Sequence, residues 1–400
     1  MPDIIPRPGF RNTLRLPGAR VVERLATGGI LVAASWPGLD MLWRGRTTPR
    51  LSGLSGGLVG TPKVSVVVAA RNEADGIRAG VTSLLEQDYQ ALEVVVVDDR
   101  STDGTAAVLA SFGSERLRVV TIDELPPGWL GKPHALFVGA QETSGDWLLF
   151  TDADVVFAPG CVRLAVGYAV SQGLDHLTLS PTLRARGFWL NAFVAFFAYL
   201  LLISLRLYRV NDPASGVGVG LGAFNLVRRT AYEAVGTYAA VARRPDDDVR
   251  FGQRVRQIGL RQQILDGSDL LGVEWYPSLW VALAGLEKNF FAGYDYSVAA
   301  ALLSQTVLLA VFVWPWLALY RGWARWLSIG TIAVNVVTML SARARLGGRP
   351  GLSELAYALA TPITAILVCY AALRSMLLTL RHKGIRWRDT FYPLSDLRSE

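Results

Sequence analysis

The sequence contains few cysteines, few histidines and few charged residues. Two cysteines in 400 residues cannot form a disulfide framework. His134 and His176 show no metal-ligand spacing, and we expect both to be structural. Charged residues make up 18% of the chain and hydrophobic residues 51%, whereas typical globular proteins have roughly 25% charged residues. With a mean hydropathy of +0.31, this composition excludes disordered, collagen-like and coiled-coil chains and indicates a protein partly embedded in lipid.

A signal peptide and a nucleic-acid-binding surface are also not indicated. The first twenty residues include Pro and Arg but no apolar core of the kind that a cleaved signal peptide needs. The net charge is +7, from 40 Lys+Arg against 33 Asp+Glu, but no basic stripe carries interleaved aromatic residues. We therefore expect the excess positive charge to face anionic lipid, and we expect no nucleic-acid partner.

Apolar segments lie near both ends of the chain. Residues 25–39 are short for a membrane span and predict either a weak anchor or a re-entrant segment, followed by a Gly/Ser linker at 51–62. The first predicted region, residues 1–60, contains the anchor or re-entrant segment and most of the linker, and a membrane region with a basic tail is predicted at 293–400. The candidate spans of that region are residues 297–320, 326–342 and 355–373.

A further uncharged segment, residues 188–205, interrupts the central region and has arginines on both sides. We favour a helix that lies in the membrane interface over a true span, so the expected count is three or four spans. Basic residues on both sides of the last candidate span leave the topology open.

Residues 61–292 form the central predicted domain, because short β-branched runs alternate there with segments of helical periodicity. This alternation is typical of a parallel α/β sheet, in which ligands bind beyond the carboxyl ends of the strands. The predicted strands are 64–70, 92–97, 117–122 and 147–151, and the predicted helices are 74–87 and 104–112.

Carboxylates follow two of these strands. Asp98 and Asp99 come at the end of the second strand, and Asp152 and Asp154 follow the fourth. Aspartate also favours turns and helix N-caps, but two carboxylates two residues apart would repel each other without a cation between them. A hard divalent ion, Mg²⁺ or Mn²⁺, would meet that need and could also hold a diphosphate. The pattern does not distinguish the two metals.

A second acidic group, Asp246-Asp247-Asp248, begins a segment with helical spacing. Acidic residues in a first helical turn are favoured by the helix dipole, which is one interpretation. The other is that one carboxylate is a general base whose pKa is raised by its neighbours. The spacing alone favours neither.

Other motif matches carry less weight. Residues 218–223 fit G-x-G-x-x-A, but they do not follow a strand and so do not predict a dinucleotide site. Gly131-Lys132 lacks the upstream glycine of a P-loop, and Lys132 is open to interpretation as a phosphate partner or as a surface lysine. No Ser/His/Asp or Cys/His arrangement suggests covalent catalysis.

Six ordered motifs resemble the family 2 glycosyltransferases, over roughly residues 62 to 292. They are VSVVVAARNE (64–73), VVVVDDRSTDGT (94–105), PPGWLGKPHAL (126–136), FTDAD (150–154), GLGAFNLVRRTAYEAVG (220–236) and DDVRFGQRVRQIG (247–259). PPGWLGK and GLEKNFFAGY (285–294), with apolar helices at the carboxyl end, resemble the membrane-bound, lipid-modifying branch of hopanoid-associated, ceramide-type and carotenoid glycosyltransferases. The resemblance implies an α/β GT-A domain with a Rossmann-like, mostly parallel sheet, joined to C-terminal transmembrane helices.

The resemblance also implies a nucleotide-sugar site. Asp99 would contact the nucleotide base, and Glu73 would lie near the uridine. Asp152 and Asp154 match the D-x-D that holds the metal and the diphosphate, with Lys132 as a further contact to the donor.

On the acceptor side, Asp247-Asp248 stands where the family has Glu-Asp or Asp-Asp, and Asp248 matches the general base. The acceptor side would further include Gly222, Ala223, Phe224 and Lys288.

The chain departs from processive members of the family, which carry Q-x-x-R-W after the base. Residues 280–289 read WVALAGLEKN, and the Arg-Trp pairs at 325–326 and 386–387 have Gly322 and Lys383 where the Gln would be. The departure favours transfer of a single sugar over polymer synthesis, with Lys288 in place of the missing arginine near the diphosphate.

We therefore expect a metal-dependent, inverting glycosyltransferase that moves one sugar from a nucleotide sugar, expected to be a UDP-sugar, to a lipid hydroxyl. We expect a multi-pass protein of the inner membrane whose catalytic domain faces the cytoplasm, where sugar nucleotides are made. The alternatives are a processive polysaccharide synthase and a non-catalytic membrane scaffold with a degenerate GT-A domain. The sequence does not predict the sugar, the lipid or the oligomeric state.

Overall fold

The computed structural model describes residues 28–29, 35–45, 47–54, 61–322, 324–346, 348 and 350–398. The predicted N-terminal anchor lies largely outside these residues, as do residues 55–60 of the linker. Of the anchor, residues 28–29 and 35–39 are described, and residues 35–44 form a helical segment.

A central sheet of seven strands carries the site. The strands are β1 (Val64–Ala70), β2 (Leu92–Asp99), β3 (Leu117–Ile122), β4 (Trp147–Asp152), β6 (His176–Ser180), β8 (Asn225–Arg228) and β9 (Gln262–Asp266). Their spatial order is β3-β2-β1-β4-β8-β6-β9, in which β8 is antiparallel to both of its neighbours and all other pairs are parallel. The four predicted strands and the mostly parallel sheet are confirmed.

Five further strands form two smaller sheets. They are β5 (Val156–Phe157), β7 (Thr182–Arg184), β10 (Leu271–Glu274), β11 (Gly384–Trp387) and β12 (Thr390–Pro393). The first three pair in the order β5-β10-β7, and the last two form an antiparallel hairpin after the last long helix.

Six helices cover the two faces of the central sheet. They are α1 (Ile77–Leu85), α2 (Thr105–Ala110), α3 (Gly131–Gln141), α4 (Cys161–Ser171), α6 (Arg229–Val235) and α7 (Asp247–Gln257). Alternate residues of β1 point to opposite faces, so Val66 packs with α1 and α4 while Val67 packs with α3, α6 and α7. Burial on both faces explains why β1 and β2 are continuous valine-rich runs rather than alternating ones. The helices predicted at 74–87 and 104–112 are confirmed as α1 and α2.

The remaining helices are mostly apolar. They are α5 (Phe188–Ser204), α8 (Leu279–Gly285), α9 (Glu287–Phe290), α10 (Val298–Phe312), α11 (Trp314–Ala318), α12 (Arg325–Arg345), α13 (Leu352–Leu359), α14 (Thr361–His382) and α15 (Leu394–Arg398). Within the described part of the chain, α12 and α14 are long and apolar enough to cross a membrane. A third span results only if Leu279–Tyr294 and Val298–Phe312, bent by 112°, count as one.

Proline divides two of the three predicted spans. The segment 297–320 breaks after Phe312, where Pro315 lies in the first turn of α11, and the segment 355–373 breaks at Ala360, where Pro362 lies in the first turn of α14. Proline lacks the N–H of an interior helical residue and is tolerated in a first turn, so each proline starts a new helix. Whether these helices span a membrane stays a prediction.

The segment predicted to lie in the interface is α5, a helix of 17 residues. It packs against the C-terminal helices: Tyr199 Oη lies 3.0 Å from Thr338 Oγ1 of α12, and the rings of Phe196 and Phe312 are 5.0 Å apart. The helix α5 therefore belongs to the same layer as the candidate spans. Its place in a membrane interface stays a prediction.

Candidate active site

The carboxyl ends of β2, β1 and β4 meet at one edge of the central sheet. The central strand β1 pairs in register with both neighbours, which places Ala70 beside Asp98 and Ala69 beside Asp152. The polar residues 71–73 follow β1 at the same edge. The acidic strand ends that are separate in sequence therefore lie side by side, where ligands of parallel sheets bind.

Lys132, in the first turn of α3, forms an ion pair with Asp152, with 2.5 Å between Nζ and Oδ1. Burial by itself would raise the pKa of Asp152. The ammonium of Lys132 outweighs that effect, with smaller contributions from Lys288 and Arg388, and holds this pKa below its usual value. Asp152 therefore stays ionised, and Lys132 faces the site rather than bulk solvent.

Asp154 lies beside the start of α1, where a Cβ on Gly76 would be 3.2 Å from its Cβ. Burial and then the negative charge of Asp152 raise the pKa of Asp154. Asp152 and Asp154 offer the oxygen donors that Mg²⁺ and Mn²⁺ prefer. No group of three or more His, Cys, Asp or Glu side chains is arranged to hold a metal among the described residues. Two carboxylates fit a divalent ion that a substrate diphosphate also ligates.

The predicted helix at the second acidic group is α7, and it brings Asp248 to the site. The backbone N–H of Gly222 donates a hydrogen bond of 2.6 Å to Asp248 Oδ2. Gly252 permits this approach, because a Cβ there would lie only 2.0 Å from the carbonyl carbon of Val219. Any side chain at position 252 would push α7, and Asp248 with it, away from residues 219–222.

The three consecutive aspartates have different surroundings. Asp246 forms ion pairs with Arg244 and Arg250, at 3.0 Å and 2.9 Å, and its side chain makes no capping hydrogen bond. Asp247 is only 2% exposed, and its Oδ2 has no hydrogen-bond partner among the described residues. Burial raises the pKa of both Asp247 and Asp248, and the charge of Lys132 opposes that rise. Asp246 is thus an ion-pairing residue, whereas Asp247 and Asp248 have the environment expected of a general base.

Gly222 lies between the two acidic pairs. A Cβ on this glycine would lie 2.8 Å from Asp152 Oδ2, 3.1 Å from Asp248 Oδ2 and 3.1 Å from Lys132 Nζ. Lys132 and Asp248 line a small cavity together with Asp247, Asn225, Tyr238 and other residues, and Asp152 lies beside it across Gly222. The absence of a side chain at position 222 is what allows the three charged groups to converge.

The two residues predicted near the nucleotide are held by arginines. Asp99 is buried and accepts two hydrogen bonds from Arg100, at 2.7 Å and 3.0 Å. Glu73 forms an ion pair with Arg388. Burial, and to a smaller extent Asp154, raises the pKa of Glu73, while Arg388 lowers it.

The residues predicted on the acceptor side do not all reach a surface. Gly222 lies at the centre of the site, and Lys288 Nζ lies 3.8 Å from the ring centroid of Trp387. The carbonyl of Ala223 accepts a hydrogen bond of 2.8 Å from the Thr151 hydroxyl. The side chain of Phe224 is fully buried in the core of the sheet, so no part of that ring faces a ligand.

His176 is structural in its surroundings, as expected. It is fully buried, it bonds through Nε2 to the side-chain oxygen of Asn225, and its Nδ1 accepts from Gln262 at 2.7 Å. Burial lowers the pKa of His176 to about 4, so the imidazole is neutral. The histidine thereby fixes Asn225 at the back of the cavity. His134 packs edge-on against Trp129, with ring centroids 5.3 Å apart.

Sequence reasoning missed the hairpin formed by β11 and β12. It brings Trp387, Arg388 and Tyr392 against the donor side of the site. Of its residues, only Arg386 and Trp387 enter the sequence analysis, as an Arg-Trp pair without the Gln of the processive motif. The available signal was the polar dipeptide Arg388-Asp389 between two short extended segments that follow the last long helix, α14.

Comparisons with known proteins agree with this architecture. Residues 65–236 match the family described as Glycosyl transferase family 2. The chain is 24% identical over 254 residues to the 4,4'-diaponeurosporenoate glycosyltransferase of Staphylococcus aureus (strain MRSA252). That match covers 63% of this chain and 65% of the staphylococcal protein, which is less than two thirds of its length.

Among solved structures, the chain resembles a mannosyltransferase from Pyrobaculum calidifontis in complex with GDP-Man and Mn²⁺. The TM-score is 0.53 at 20% identity, and the alignment covers 90% of this chain and 97% of that one. At this identity the likeness shows the fold. Residues 65–236 therefore match the family 2 glycosyltransferases, and the chain around them has the GT-A fold.

Proposed function

We propose that the protein transfers one sugar from a nucleotide sugar to the hydroxyl group of a membrane lipid, with inversion at the anomeric carbon. The observation that carries this proposal is the convergence at Gly222. Asp152, Asp248 and Lys132 all place a charged atom within 3.1 Å of the Cβ position of that glycine. Asp152 is suited to a divalent cation that a diphosphate also ligates, Lys132 to a phosphate oxygen, and Asp248 to a proton.

Lys132, Asp152 and Asp154 form the donor side. The ammonium of Lys132 is available to a phosphate oxygen of the donor. Asp152 and Asp154 would hold a divalent cation, Mg²⁺ or Mn²⁺, which when bound supplies positive charge against the leaving diphosphate. The Mn²⁺ in the structure of the Pyrobaculum mannosyltransferase supports a metal of this kind. We expect a UDP-sugar, with Glu73 and Asp99 on the nucleotide side.

Asp248 is the proposed general base. It removes the proton of the acceptor hydroxyl, and the oxygen attacks the anomeric carbon as the bond from that carbon to the diphosphate breaks. A single displacement places the new glycosidic bond on the opposite face of the sugar, so the configuration inverts. The N–H of Gly222 orients the carboxylate, and its raised pKa brings it closer to the range in which a base works near neutral pH.

An apolar surface beside the site supports a lipid acceptor. Trp280 of α8 is 69% exposed, and Phe188 and Trp189 of α5 are each 45% exposed. Exposed aromatic side chains at the ends of apolar helices are typical of a membrane interface. The next helix, α9, carries Lys288 toward the site. The name of the staphylococcal relative, 4,4'-diaponeurosporenoate glycosyltransferase, also supports an apolar acceptor.

The test is a transfer assay on the purified protein in detergent. The protein is incubated with a panel of UDP-sugars, a lipid extract, and Mn²⁺ or Mg²⁺; UDP release is measured and the lipids are analysed by mass spectrometry. We expect metal-dependent release of UDP and a lipid that gains the mass of one sugar, with chelator and lipid-free reactions as controls. A ladder of sugar masses would instead identify a processive synthase. A protein that neither binds nor cleaves UDP-, GDP- or dTDP-sugars would be a scaffold.

A further inference from the structure

The hairpin of β11 and β12 folds back from the end of α14 onto the donor edge of the sheet. Its two-residue turn consists of Arg388 and Asp389, with φ of 46° and 64°. Turns of this mirror-image kind match the twist of a hairpin but normally use Gly, Asn or Asp, so Arg388 is the unusual residue of the two. Unfavourable backbone conformations of this sort concentrate where a side chain serves a function.

The turn places Arg388 directly on residues 71–73, which follow β1. Its Nη1 donates to the carbonyl oxygens of Arg71 and Asn72, at 2.6 Å and 2.9 Å. Its Nη2 pairs with the carboxylate of Glu73. One terminal nitrogen of the guanidinium is thus held by two backbone carbonyl oxygens. The other forms an ion pair with Glu73, which a competing anion can replace.

Two further contacts fix the hairpin over the site. The N–H of Gly131, one residue before Lys132, donates a hydrogen bond of 3.1 Å to Tyr392 Oη. The ring of Trp387 receives the ammonium of Lys288 at 3.8 Å. The hairpin therefore bridges the start of α3, the end of β1 and α9, and these elements carry residues of the proposed donor and acceptor sides.

Arg388 also belongs to the electrostatics of the site. Its positive charge acts on Glu73, Asp152 and Asp154 and favours the ionised form of each carboxylate. Its side chain remains 42% exposed, so a ligand at this edge can reach it. A planar guanidinium of this kind binds phosphate oxygens through paired N–H groups.

We propose that Arg388 is a donor-binding residue, which exchanges Glu73 for a phosphate oxygen of the nucleotide diphosphate. The hairpin then forms a wall of the donor pocket. The inference rests on the proposed function, because it requires a nucleoside diphosphate at the carboxyl edge of the sheet.

The experiment measures the binding of UDP and of UMP to the full chain in detergent with Mn²⁺, by calorimetry. Arg388→Ala should weaken UDP binding by about tenfold to a hundredfold, the equivalent of one lost hydrogen bond between charged groups. UMP binding should change far less, because UMP lacks the second phosphate. Arg388→Gln keeps a donor for the carbonyls of residues 71 and 72 but loses the charge, and it should show the same selective loss. Arg386→Ala, in the strand β11 that leads into the turn, is the matched control and should bind UDP like the wild type.

The outcomes separate this inference from the function on which it rests. If the wild type binds UDP and both Arg388 variants bind it equally well, the inference is wrong and the proposed function stands. An equal loss of UDP and UMP binding would make the arginine a structural support of the pocket and would also overturn the inference. If the wild type binds neither UDP nor GDP with Mn²⁺, the proposed function fails and the inference fails with it. Melting curves establish whether each variant is folded. If Arg388→Ala does not fold, the result for Arg388→Gln decides the test.

Discussion

The two acidic pairs of the site consist of the same residue type, but Asp152 of the strand pair has a lowered pKa whereas both members of the helix pair have raised ones. Asp152 and Asp154 end the strand β4, and Asp247 and Asp248 begin the helix α7. Lys132 holds the pKa of Asp152 below its usual value, whereas burial raises the pKa of Asp247 and Asp248. Pairs of carboxyl groups whose environments push their pKa values apart are suited to different tasks. The difference supports the proposal that Asp152 helps to hold a cation and that the helix pair accepts a proton.

The difference arises from the direct ion pair of Asp152 and from its greater exposure to water. Lys132 acts on Asp152, Asp247 and Asp248, but only Asp152 accepts a hydrogen bond from its ammonium. The side chain of Asp152 is 40% exposed at the sheet edge, while Asp247 is 2% exposed beneath the aromatic core around Tyr238. Water therefore stabilises the ionised form of Asp152, and the same form of Asp247 lacks that stabilisation.

The largest effect is expected from Asp248→Asn. This change removes the proton acceptor but keeps the size of the side chain, so kcat should fall by about 10²- to 10⁴-fold. The affinity for a nucleotide sugar should stay close to that of the wild type, because Asp248 belongs to the proton-accepting pair. Turnover is measured by UDP release and affinity by calorimetry.

The matched control is Asp246→Asn, in the same triplet. Asp246 pairs with Arg244 and Arg250 and does not line the cavity, so its variant should retain most of the turnover and lose thermal stability. If Asp248→Asn kept more than about a tenth of the wild-type turnover, the assignment of the base would be wrong.

A smaller effect of a different kind is expected from Asp154→Asn. This change removes one of the two proposed metal ligands, so the affinity for UDP should become nearly independent of Mn²⁺ and fall by about tenfold or more. The comparison with Asp248→Asn is reciprocal: one variant loses metal-dependent binding and the other loses turnover. Titrations of UDP with Mn²⁺ and with chelator measure the effect. Unchanged Mn²⁺ dependence in Asp154→Asn would remove the metal role from the strand pair.

The strand pair could be predicted from the sequence because its signals are local. Valine-rich runs predict buried strands, and the acids that follow them must meet at one sheet edge once the strands are parallel. The bounds of β1 and β3 agree with the prediction, and β2 and β4 extend into Asp99 and Asp152. Metal ligation by Asp152 and Asp154 remains a prediction.

The helix pair could be predicted only in part. The helical start at Asp247 follows from local spacing, but the distinct surroundings of the three aspartates depend on a long-range contact. Gly252 must meet the backbone of Val219 before Asp248 can approach Gly222. Spacing could not show this contact, nor could it show that the ring of Phe224 lies in the core.

The position of the hairpin over the site could not be predicted from local signals. Arg388 reaches residues 71–73 from more than three hundred residues further along the chain. Contacts of such sequence separation leave no periodicity, and a short exposed turn has no hydrophobic pattern to mark its partner. The two breaks in the apolar helices, by contrast, have a local signal in Pro315 and Pro362. Hydropathy does not distinguish a continuous apolar helix from one that proline divides.

The smallest expected effect is a change in the pH dependence of stability, which compares Asp247 with Asp152. Burial raises the pKa of Asp247 in the folded protein above the ordinary value of about 3.9, so the folded state binds this proton more tightly than the unfolded state does. The wild type therefore loses stability as the pH rises through the folded-state pKa. Asp247→Asn removes that loss, so its Tm should exceed that of the wild type by a few degrees at pH 8 and by progressively less toward pH 4.

Asp152→Asn should shift the Tm in the opposite direction, because the pKa of Asp152 is lowered in the folded protein. The stability that its carboxylate contributes is present above the ordinary pKa and is lost as the pH falls. Melting curves of the two variants and the wild type across this range decide the matter: shifts of the same sign would mean that the two acidic pairs do not differ in the way their surroundings indicate.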